Sequence, residues 1–435
     1  MNHLKEASFC LMLLFIPFFC SAQNNADYYD SHSIRYEDFT YRHNIKTVQL
    51  NKADWEFSAP VIALGSGEAL KLSFDDLDSD SKNYRYTVIH CDASWNPSDR
   101  LLQSEYIDGF YDNGINDYQY SKNTLQKYVH YELLFPNESM KLTKSGNYLL
   151  KVYLDYDAND LVLTKRFMVV DERVNILADI HHATIVNDYN YKQEIDFSIQ
   201  TPGYQIINPY NDLKVVITQN DRWDNAITKL KPLFIKNEEL VYDYDHDNVF
   251  SGGNEFRNFD IKSLHWNSEF VKTIFRDSSG YQVILFPGKK RSYYQYLSER
   301  DINGKYKITR QESSPNNSVT EAEYVNVHLT LSMEQVENGS IYILGGFNNW
   351  RYNNESKMNY NTDLKQYEKV LFIKQGYYNY MFTYLKDEEK FGDETLVEGQ
   401  HYETENEYCI YVYYKPITSN HDQLIGIKRF NTIHY

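Results

Sequence analysis

The sequence is poor in several residue types, and each scarcity excludes a class of protein. Of its 435 residues, 10 are Pro and 18 are Gly, which excludes a collagen-like or low-complexity chain. Basic residues are outnumbered, with 44 Lys and Arg against 61 Asp and Glu. The formal net charge of −17 argues against binding nucleic acid or anionic lipid through bulk charge. The sequence therefore predicts no nucleic-acid partner.

Long apolar runs are also missing. The N-terminal apolar run at residues 9–19 is shorter than the ~20 residues that a membrane-spanning helix needs. The small residues at 20–22 then supply a secretory cleavage site, so residues 1–22 are predicted to be a cleaved signal peptide. A lipoprotein anchored at Cys20 is the alternative. It is disfavoured because the residues at 17–19 are bulky where a lipobox needs small ones.

Cysteine is scarce, and cleavage of the signal peptide leaves Cys91 and Cys409. An exported chain of this size with two cysteines is stabilised by its cores and not by a disulfide framework. One long-range bridge between the two remains open, although two separate buried thiols are favoured.

Aromatic residues are abundant, with 41 Tyr, 23 Phe and 5 Trp making 16% of the chain. Tyr favours the half-buried surface of a strand, and short alternating runs separated by turn residues recur along the sequence. This pattern predicts an all-β protein of tandem antiparallel immunoglobulin-like or early-set β-sandwich domains. The clearest strands of the first third are 70–74, 84–91, 128–135, 148–154 and 161–170.

Turn-rich segments divide the mature chain, and the polar run at 311–320 is predicted to be a linker. The predicted units are an N-terminal β-sandwich at 27–171, a middle β-rich domain at 172–318, an early-set immunoglobulin-like domain at 322–414 and a C-terminal tail without a strong pattern at 415–435.

Direct insertion into a membrane is not expected. Strands of an outer-membrane barrel need ~9–11 residues with a continuous lipid-facing side. The last stretch, 424–435, instead places Arg429 and Asn431 on the side shared with Ile425 and Ile427.

Local patterns for catalysis or metal binding are weak. His181 and His182 are adjacent, so on a strand their rings point to opposite faces and cannot chelate one metal together. The Asp-rich turn at 75–80 has no bidentate acid at the right distance. The run at 243–248 opens like a calcium loop, but its twelfth position is Asn254 and the acid comes one later. We therefore predict no metal, no cofactor and no enzymatic activity.

Two segments, 219–225 and 250–260, combine Arg, carboxylates and aromatic residues. Such groups can form a partly buried, bidentate network. A structural role that locks a core or corner is favoured, and a binding surface with Trp and Arg anchors is the alternative. The candidate residues are Arg222, Trp223, Asp224, Glu255, Arg257 and Asp260.

The turn at 345–350, between a strand and a Tyr-rich partner, resembles the early-set immunoglobulin-like domains that include glycogen- and starch-binding modules. In that resemblance Asn348 and Trp350 would form a glycan platform. The second platform Trp of the sugar-binding members is missing, since 385–392 reads LKDEEKFG. A corner plug is therefore favoured for Trp350, and a periplasmic glycan-binding module is the alternative function.

Taken in order along the chain, the motifs resemble the type IX secretion system plug protein family, and the likeness covers nearly the whole mature chain. The segments that carry it are 64–65, 72–77 (LSFDDL), 90–95 (HCDASW), 105–110 (EYIDGF), 117–118, 121–124, 128–131 (YVHY), 219–225, 252–260, 300–304 (RDING) and 345–350.

The resemblance implies a non-enzymatic periplasmic protein that plugs the periplasmic opening of the outer-membrane translocon barrel. Its implied partner is that barrel, and its implied location is the periplasm, associated with the outer membrane through this protein partner. The resemblance points to no contact residues.

Overall fold

The computed structural model describes residues 33–432, and the regular structure of this range is mostly β-strand. The predicted signal peptide at 1–22 lies outside the described residues. Of the helices in the described range, none has the length and apolar character that crossing a membrane requires.

The first third of the described chain holds twelve strands and one short helix, which follow in chain order. They are β1 (Phe39–Thr40), β2 (Ile45–Lys52), β3 (Val61–Ala63), β4 (Leu70–Asp76), β5 (Tyr84–Cys91), α1 (Gln103–Tyr106), β6 (Ile107–Gly109), β7 (Asp112–Gly114), β8 (Asp117–Tyr120), β9 (Val129–Phe135), β10 (Met140–Leu142), β11 (Gly146–Leu154) and β12 (Leu161–Val170).

The next elements run to the middle of the chain. They are β13 (Asn175–His182), β14 (Lys192–Gln200), α2 (Pro209–Asp212), β15 (Leu213–Gln219), β16 (Arg222–Ile227), β17 (Phe234–Lys236), β18 (Glu239–Tyr242) and β19 (Val249–Ser251).

The remaining elements complete the described chain. They are β20 (Arg257–Asp260), β21 (Val271–Asp277), β22 (Gly280–Leu285), β23 (Gly288–Lys289), β24 (Tyr306–Ile308), α3 (Pro315–Glu321), β25 (Tyr324–Ser332), β26 (Gly339–Leu344), a 3-10 turn (Gly346–Asn348), β27 (Asn359–Asn361), β28 (Gln366–Lys374), β29 (Gly376–Lys386), α4 (Thr395–Glu398), β30 (Glu407–Tyr414) and β31 (Gln423–Asn431).

The first sandwich is built from two sheets, ordered β1-β12-β11-β5-β7 and β2-β4-β9-β8, with β3 running parallel to β12. Alternation along β5 explains its place, because Tyr84, Tyr86 and Val88 are buried while the residues between them are partly exposed. Phe74 and Tyr131 stack in the core at 5.1 Å. The five strands predicted for this region are confirmed, with their ends shifted by at most two residues.

The second sandwich pairs the sheets β13-β14-β18-β17 and β16-β15-β30-β31, with β19 beside β14. Strand β30 is buried on both faces from Tyr408 onward, in keeping with the continuous apolar and aromatic sequence YCIYVYY that follows Glu407. Ile410 and Val412 pack into the core of this sandwich. Tyr411 and Tyr413 pack on the other face, in a cluster with Leu149 of the first sandwich. Strand β30 therefore packs against both sandwiches, one on each of its faces.

Cys91 and Cys409 belong to that shared cluster, and both are buried, free thiols. The favoured prediction of two unbridged thiols is confirmed. Burial raises the pKa of Cys91 to about 12, so this thiol stays protonated and unreactive at neutral pH.

The third sandwich consists of two sheets that pack face to face. One is ordered β21-β22-β25-β28-β27 and the other β20-β29-β24, and the C-terminal half of β29 also pairs with β26. Phe259 and Tyr378 stack at 5.2 Å in its core.

Strand pairing crosses the predicted domain boundaries. Strand β15 pairs with β30, and β30 in turn pairs with β31, which lies in the residues interpreted as a tail. Strands β20 and β24, assigned to the middle domain, pair instead with β29 of the third sandwich. Local alternation marks strands but not their partners, which is why a division into consecutive domains differs from the observed sheets.

The segment at 311–320, predicted to be a linker, is instead partly helical. Most of α3 lies in it, with Pro315 in the first turn of the helix. This segment packs against the first sandwich. The Tyr128 hydroxyl donates to the carbonyls of Val319 and Ala322, at 3.2 and 2.8 Å.

Candidate functional site

Arg222 and Arg257 are two cations of a buried ion-pair system that we call the arginine network. It also contains Arg291 and the acids Asp224, Glu394 and Glu398. Glu255 joins it through its backbone carbonyl, which accepts from Arg291.

Arg222 begins β16, and its side chain is 5% exposed. Its Nε and Nη2 donate to the two carboxylate oxygens of Asp224 at 3.1 and 2.8 Å, and Nη1 donates to Glu394 Oε2 at 2.7 Å. Burial lowers the pKa of Arg222, but the carboxylates of Asp224 and Glu394 outweigh it and raise the pKa overall. Arg222 is therefore always charged, and its charge is balanced by Asp224 and Glu394.

Glu398, at the end of α4, is the acid at the centre of the other half of the network. Its side chain is 3% exposed, and it accepts from Arg257 Nε at 2.9 Å and from Arg291 Nε at 2.9 Å. The Phe382 amide donates to its Oε1 at 2.8 Å. Burial raises the pKa of Glu398, but the two guanidinium groups lower it overall. Because Glu394 and Glu398 flank one helical turn, α4 connects the two halves.

Glu255 is a buried acid beside Arg291, whose Nη2 donates to the Glu255 carbonyl at 2.7 Å. The Tyr296 hydroxyl and the Glu405 amide both donate to Glu255 Oε1. The other oxygen, Oε2, is buried without a hydrogen-bond partner among the described residues. Burial, together with the nearby charges of Asp301 and Glu405, raises the pKa of Glu255 to about 7.

The segment 290–300 lies above this network and exposes several large side chains; we call it the aromatic loop. It joins β23 to β24 without regular structure. Tyr293 is 83% exposed, Tyr294 58% and Leu297 67%. The loop is held from below, since Arg291 binds Glu398, its amide donates to the Val397 carbonyl at 2.7 Å, and Tyr296 binds Glu255.

An exposed tyrosine cluster on a fixed backbone has the properties of a protein-binding surface. Tyr provides apolar area and a polar tip at low cost in side-chain entropy, and it is enriched at protein interfaces. Since the anchors at Arg291 and Tyr296 are already made, little further ordering is needed on binding.

Of the six predicted network residues, Arg222 pairs with Asp224, and Arg257 pairs with Glu398. Glu255 joins the network only through its backbone carbonyl, which accepts from Arg291. The low exposure of these side chains favours the structural role. Trp223 faces the other way, edge-on to Trp95 at 5.2 Å, where the first and second sandwiches join. Asp260 lies outside the network and pairs with Lys262 in a partly exposed turn.

Sequence reasoning missed Arg291, Glu394 and Glu398, because acids after a turn give no sign of which cation they face. It also missed the aromatic loop. A signal was present, since the run 293–297 reads YYQYL between charged residues and fits neither strand nor helix periodicity.

Asn348 and Trp350, the candidate glycan platform, are both engaged in packing. Asn348 Nδ2 donates to the Ile343 carbonyl at 2.7 Å, and its Oδ1 accepts from the Gly345 amide at 3.1 Å. The Trp350 ring lies 5.0 Å from the Arg222 guanidinium. Gly304, with φ of +76°, makes room for the ring, since a Cβ there would lie 2.2 Å from Trp350 Cη2. These contacts favour the corner plug over the glycan platform.

A second buried polar group, which we call the interdomain cluster, joins the first and third sandwiches. Lys374 Nζ donates to Asp75 Oδ2 at 2.6 Å, and the side chains are 1% and 0% exposed. The Tyr324 hydroxyl donates to the same oxygen at 2.6 Å. His130 Nδ1 lies 2.7 Å from Asp75 Oδ1. Burial raises the pKa of Asp75, but Lys374 and His130 outweigh it, so the pKa is lowered overall and the pair is ionised.

One group of described residues could hold a metal ion. His181, Glu194 and Asp196, on β13 and β14 of the second sandwich, offer ligand atoms that lie within 4.8 Å of one another.

The fold and this site define a class of protein, a multi-sandwich β scaffold that presents an aromatic surface over a buried ionic frame. Residues 45–171 match the model of the type 9 secretion system plug protein 1st domain. A crystal structure of a hypothetical protein from Parabacteroides merdae is 34% identical, has a TM-score of 0.89, and is matched over 92% of this chain and 100% of that one. The chain belongs to the type 9 secretion system plug protein family and is a component associated with that secretion system.

A structure of trypsin-activated alpha-2-macroglobulin from Escherichia coli also aligns, over 88% of this chain and 28% of that chain, at 9% identity. Its TM-score of 0.18 supports no inference. No curated protein matches the sequence.

Proposed function

We propose that this protein is a non-enzymatic periplasmic component of the type IX secretion system that plugs the periplasmic opening of the outer-membrane translocon barrel. The observation that carries the proposal is membership of the plug family, through the first-domain match at 45–171 and the 34% identical relative matched over its full length. A plug acts by occupying space, so it needs a stiff body and a contact surface, not a reactive centre.

Stiffness is supported by the way in which the three sandwiches are joined. Strand β30 is buried between the first and second sandwiches, and the interdomain cluster fastens the first to the third. Interiors packed in this way are close to incompressible, so a body of this kind keeps its shape against a wide opening.

The aromatic loop is the contact surface that we propose for the barrel. Tyr293, Tyr294 and Leu297 provide the exposed anchors, and the arginine network holds their backbone from below. Interfaces concentrate their binding energy in such anchors, while polar contacts around them exclude water. A Tyr-rich surface also suits a wet and reversible interface, as a plug that must leave for cargo requires.

The proposed location is the periplasm, where the predicted signal peptide would deliver the chain. Association with the outer membrane would then depend on the barrel and not on lipid, in keeping with the net charge of −17.

The test of this function uses the tagged mature chain, expressed in its native cells, with detergent extraction of the membranes. Recovery of the translocon barrel with the chain is expected. In addition, the purified barrel reconstituted in lipid should conduct small ions, and adding the chain should reduce that conductance. Absence of the barrel from the pull-down, under conditions that preserve other membrane complexes, contradicts the proposal.

A further inference from the structure

Three potential metal ligands come together on one face of the β13–β14 hairpin. In the strand register His181 lies opposite Glu194, and Asp196 is two residues further along β14, so all three side chains share a face. His181 Nε2 lies 2.8 Å from Asp196 Oδ2 and 3.9 Å from Glu194 Oε1. His182 points to the opposite face, as the sequence predicts, and stacks on Tyr402.

Each ligand is fixed from behind by a second contact. His181 Nδ1 lies 2.8 Å from the His182 carbonyl and donates to it, which turns Nε2 toward the carboxylates. Glu194 is 1% exposed and accepts from the amide and hydroxyl of Thr184, at 2.6 and 3.1 Å. Asp196 Oδ1 accepts from Asn248 Nδ2 at 2.9 Å. The three donor atoms are therefore positioned before any ion binds.

The spacing suits a small tetrahedral ion. Ligand atoms placed ~2.0–2.1 Å from zinc in a tetrahedron lie roughly 3.3 Å apart. The distances of 2.8 and 3.9 Å from His181 Nε2 lie on either side of this value, and all three ligand atoms lie within 4.8 Å of one another.

The run 243–248, which opens like a calcium loop, lies beside these ligands through Asn248. That side chain is fully buried, and its Oδ1 has no hydrogen-bond partner among the described residues. The amide is oriented with Nδ2 toward Asp196, so Asn248 holds this ligand in place and is not itself one.

We propose that His181, Glu194 and Asp196 bind a divalent transition-metal ion of the zinc class, with water in the fourth position. The imidazole nitrogen selects against Ca²⁺ and Mg²⁺, which take oxygen ligands. Three protein ligands and one open position are the usual arrangement of a zinc site that is not fully closed by protein. The ion would fasten β13 to β14 at the edge of the second sandwich. This proposal does not depend on the plug function.

The test is calorimetry of the EDTA-treated mature chain with ZnCl₂, together with its thermal unfolding. One Zn²⁺ per chain and a higher Tm in Zn²⁺ are expected. The change His181→Gln should weaken Zn²⁺ binding at least ~10-fold, and Asp196→Asn should weaken it comparably. His246→Gln is the matched control, since His246 is an exposed imidazole of the neighbouring run and should leave binding unchanged.

Circular dichroism in EDTA shows whether each variant folds, and Asp196→Asn replaces His181→Gln if the latter does not. No Zn²⁺ binding by the wild-type chain overturns the proposal. Equal Zn²⁺ binding by wild type and the two ligand variants overturns it too, because the ion would then sit elsewhere. Binding of Ca²⁺ in preference to Zn²⁺ also overturns it.

Discussion

The interdomain cluster and the arginine network are both buried ionic groups, yet they face different surroundings. Asp75 and Lys374 are enclosed by two sandwiches and are at most 1% exposed. The cations Arg257 and Arg291 are 12% and 18% exposed, and an open loop lies above them. Buried ion pairs therefore serve two purposes in this protein. The cluster fixes one sandwich to another, whereas the network holds a surface that remains free to bind.

The largest effect is expected from Lys374→Met. The change leaves the buried Asp75 carboxylate without the lysine cation, which costs about 3–5 kcal/mol of the free energy of unfolding. Urea unfolding measures the loss. Lys386→Met is the control, since Lys386 is 58% exposed and its pair with Glu389 contributes at most about 1 kcal/mol. A loss below about 1 kcal/mol for Lys374→Met would show that the two sandwiches do not depend on this cluster.

A smaller effect is expected from Glu398→Gln. The guanidinium groups of Arg257 and Arg291 lose their carboxylate but can reach some water, so we expect a loss of about 2 kcal/mol. Amide hydrogen exchange in residues 290–297 should become faster, while exchange in β4 should not change. Glu389→Gln, at an exposed position, is the control. Unchanged exchange in the aromatic loop would contradict its anchoring by Glu398.

The Glu255→Gln change tests the network through pH. Because the pKa of Glu255 rises from 4.5 to about 7 on folding, the folded state binds more protons between these values. The stability from this group is therefore present below pH 4.5 and is lost as the pH rises through 7. The loss amounts to at most roughly 3 kcal/mol.

Urea unfolding of Glu255→Gln from pH 4.5 to 8 should give a flatter profile, with the variant gaining on wild type as the pH rises. Burial also raises the pKa of Asp301, to about 6, so this acid contributes pH dependence to both proteins. Parallel profiles would show that Glu255 does not carry the shifted pKa.

The smallest effect on stability is expected from the aromatic loop itself. The combined change Tyr293→Ser, Tyr294→Ser and Leu297→Ser removes exposed side chains, so the free energy of unfolding should change by less than about 1 kcal/mol. Thermal and urea unfolding check this result. A loss above about 2 kcal/mol would mean that these side chains pack into the fold and do not form a free surface.

Much of the β architecture could be predicted from the sequence, because strands such as β5 show a regular alternation of apolar and polar residues. Pairing could not, since β15 and β30 are neighbours across nearly 200 residues and each matches many other apolar strands equally well. Segment 311–320 shows the same limit. Its polar composition suits a linker, but contacts of Tyr128 with α3 bring it into the structure.

The candidate site was predictable in part. Arg222 and Arg257 stand in segments whose mixture of cations, acids and aromatic residues indicated a network. Their main acids, Glu394 and Glu398, lie more than 140 residues away, so proximity in sequence could not reveal them. The proposed metal ligands illustrate the same point, because His181 meets Glu194 only through the strand register.

The aromatic loop is tested most directly as the barrel-binding surface by the affinity of the purified translocon barrel, in detergent, for three forms of this chain. These are wild type, the triple aromatic-loop variant, and a matched control that changes Tyr156, Tyr210 and Leu364 to Ser at other exposed positions. We expect the loop variant to bind at least ~10-fold more weakly and the control to bind like wild type. Equal affinity for all three forms would contradict the aromatic loop as the surface that meets the barrel.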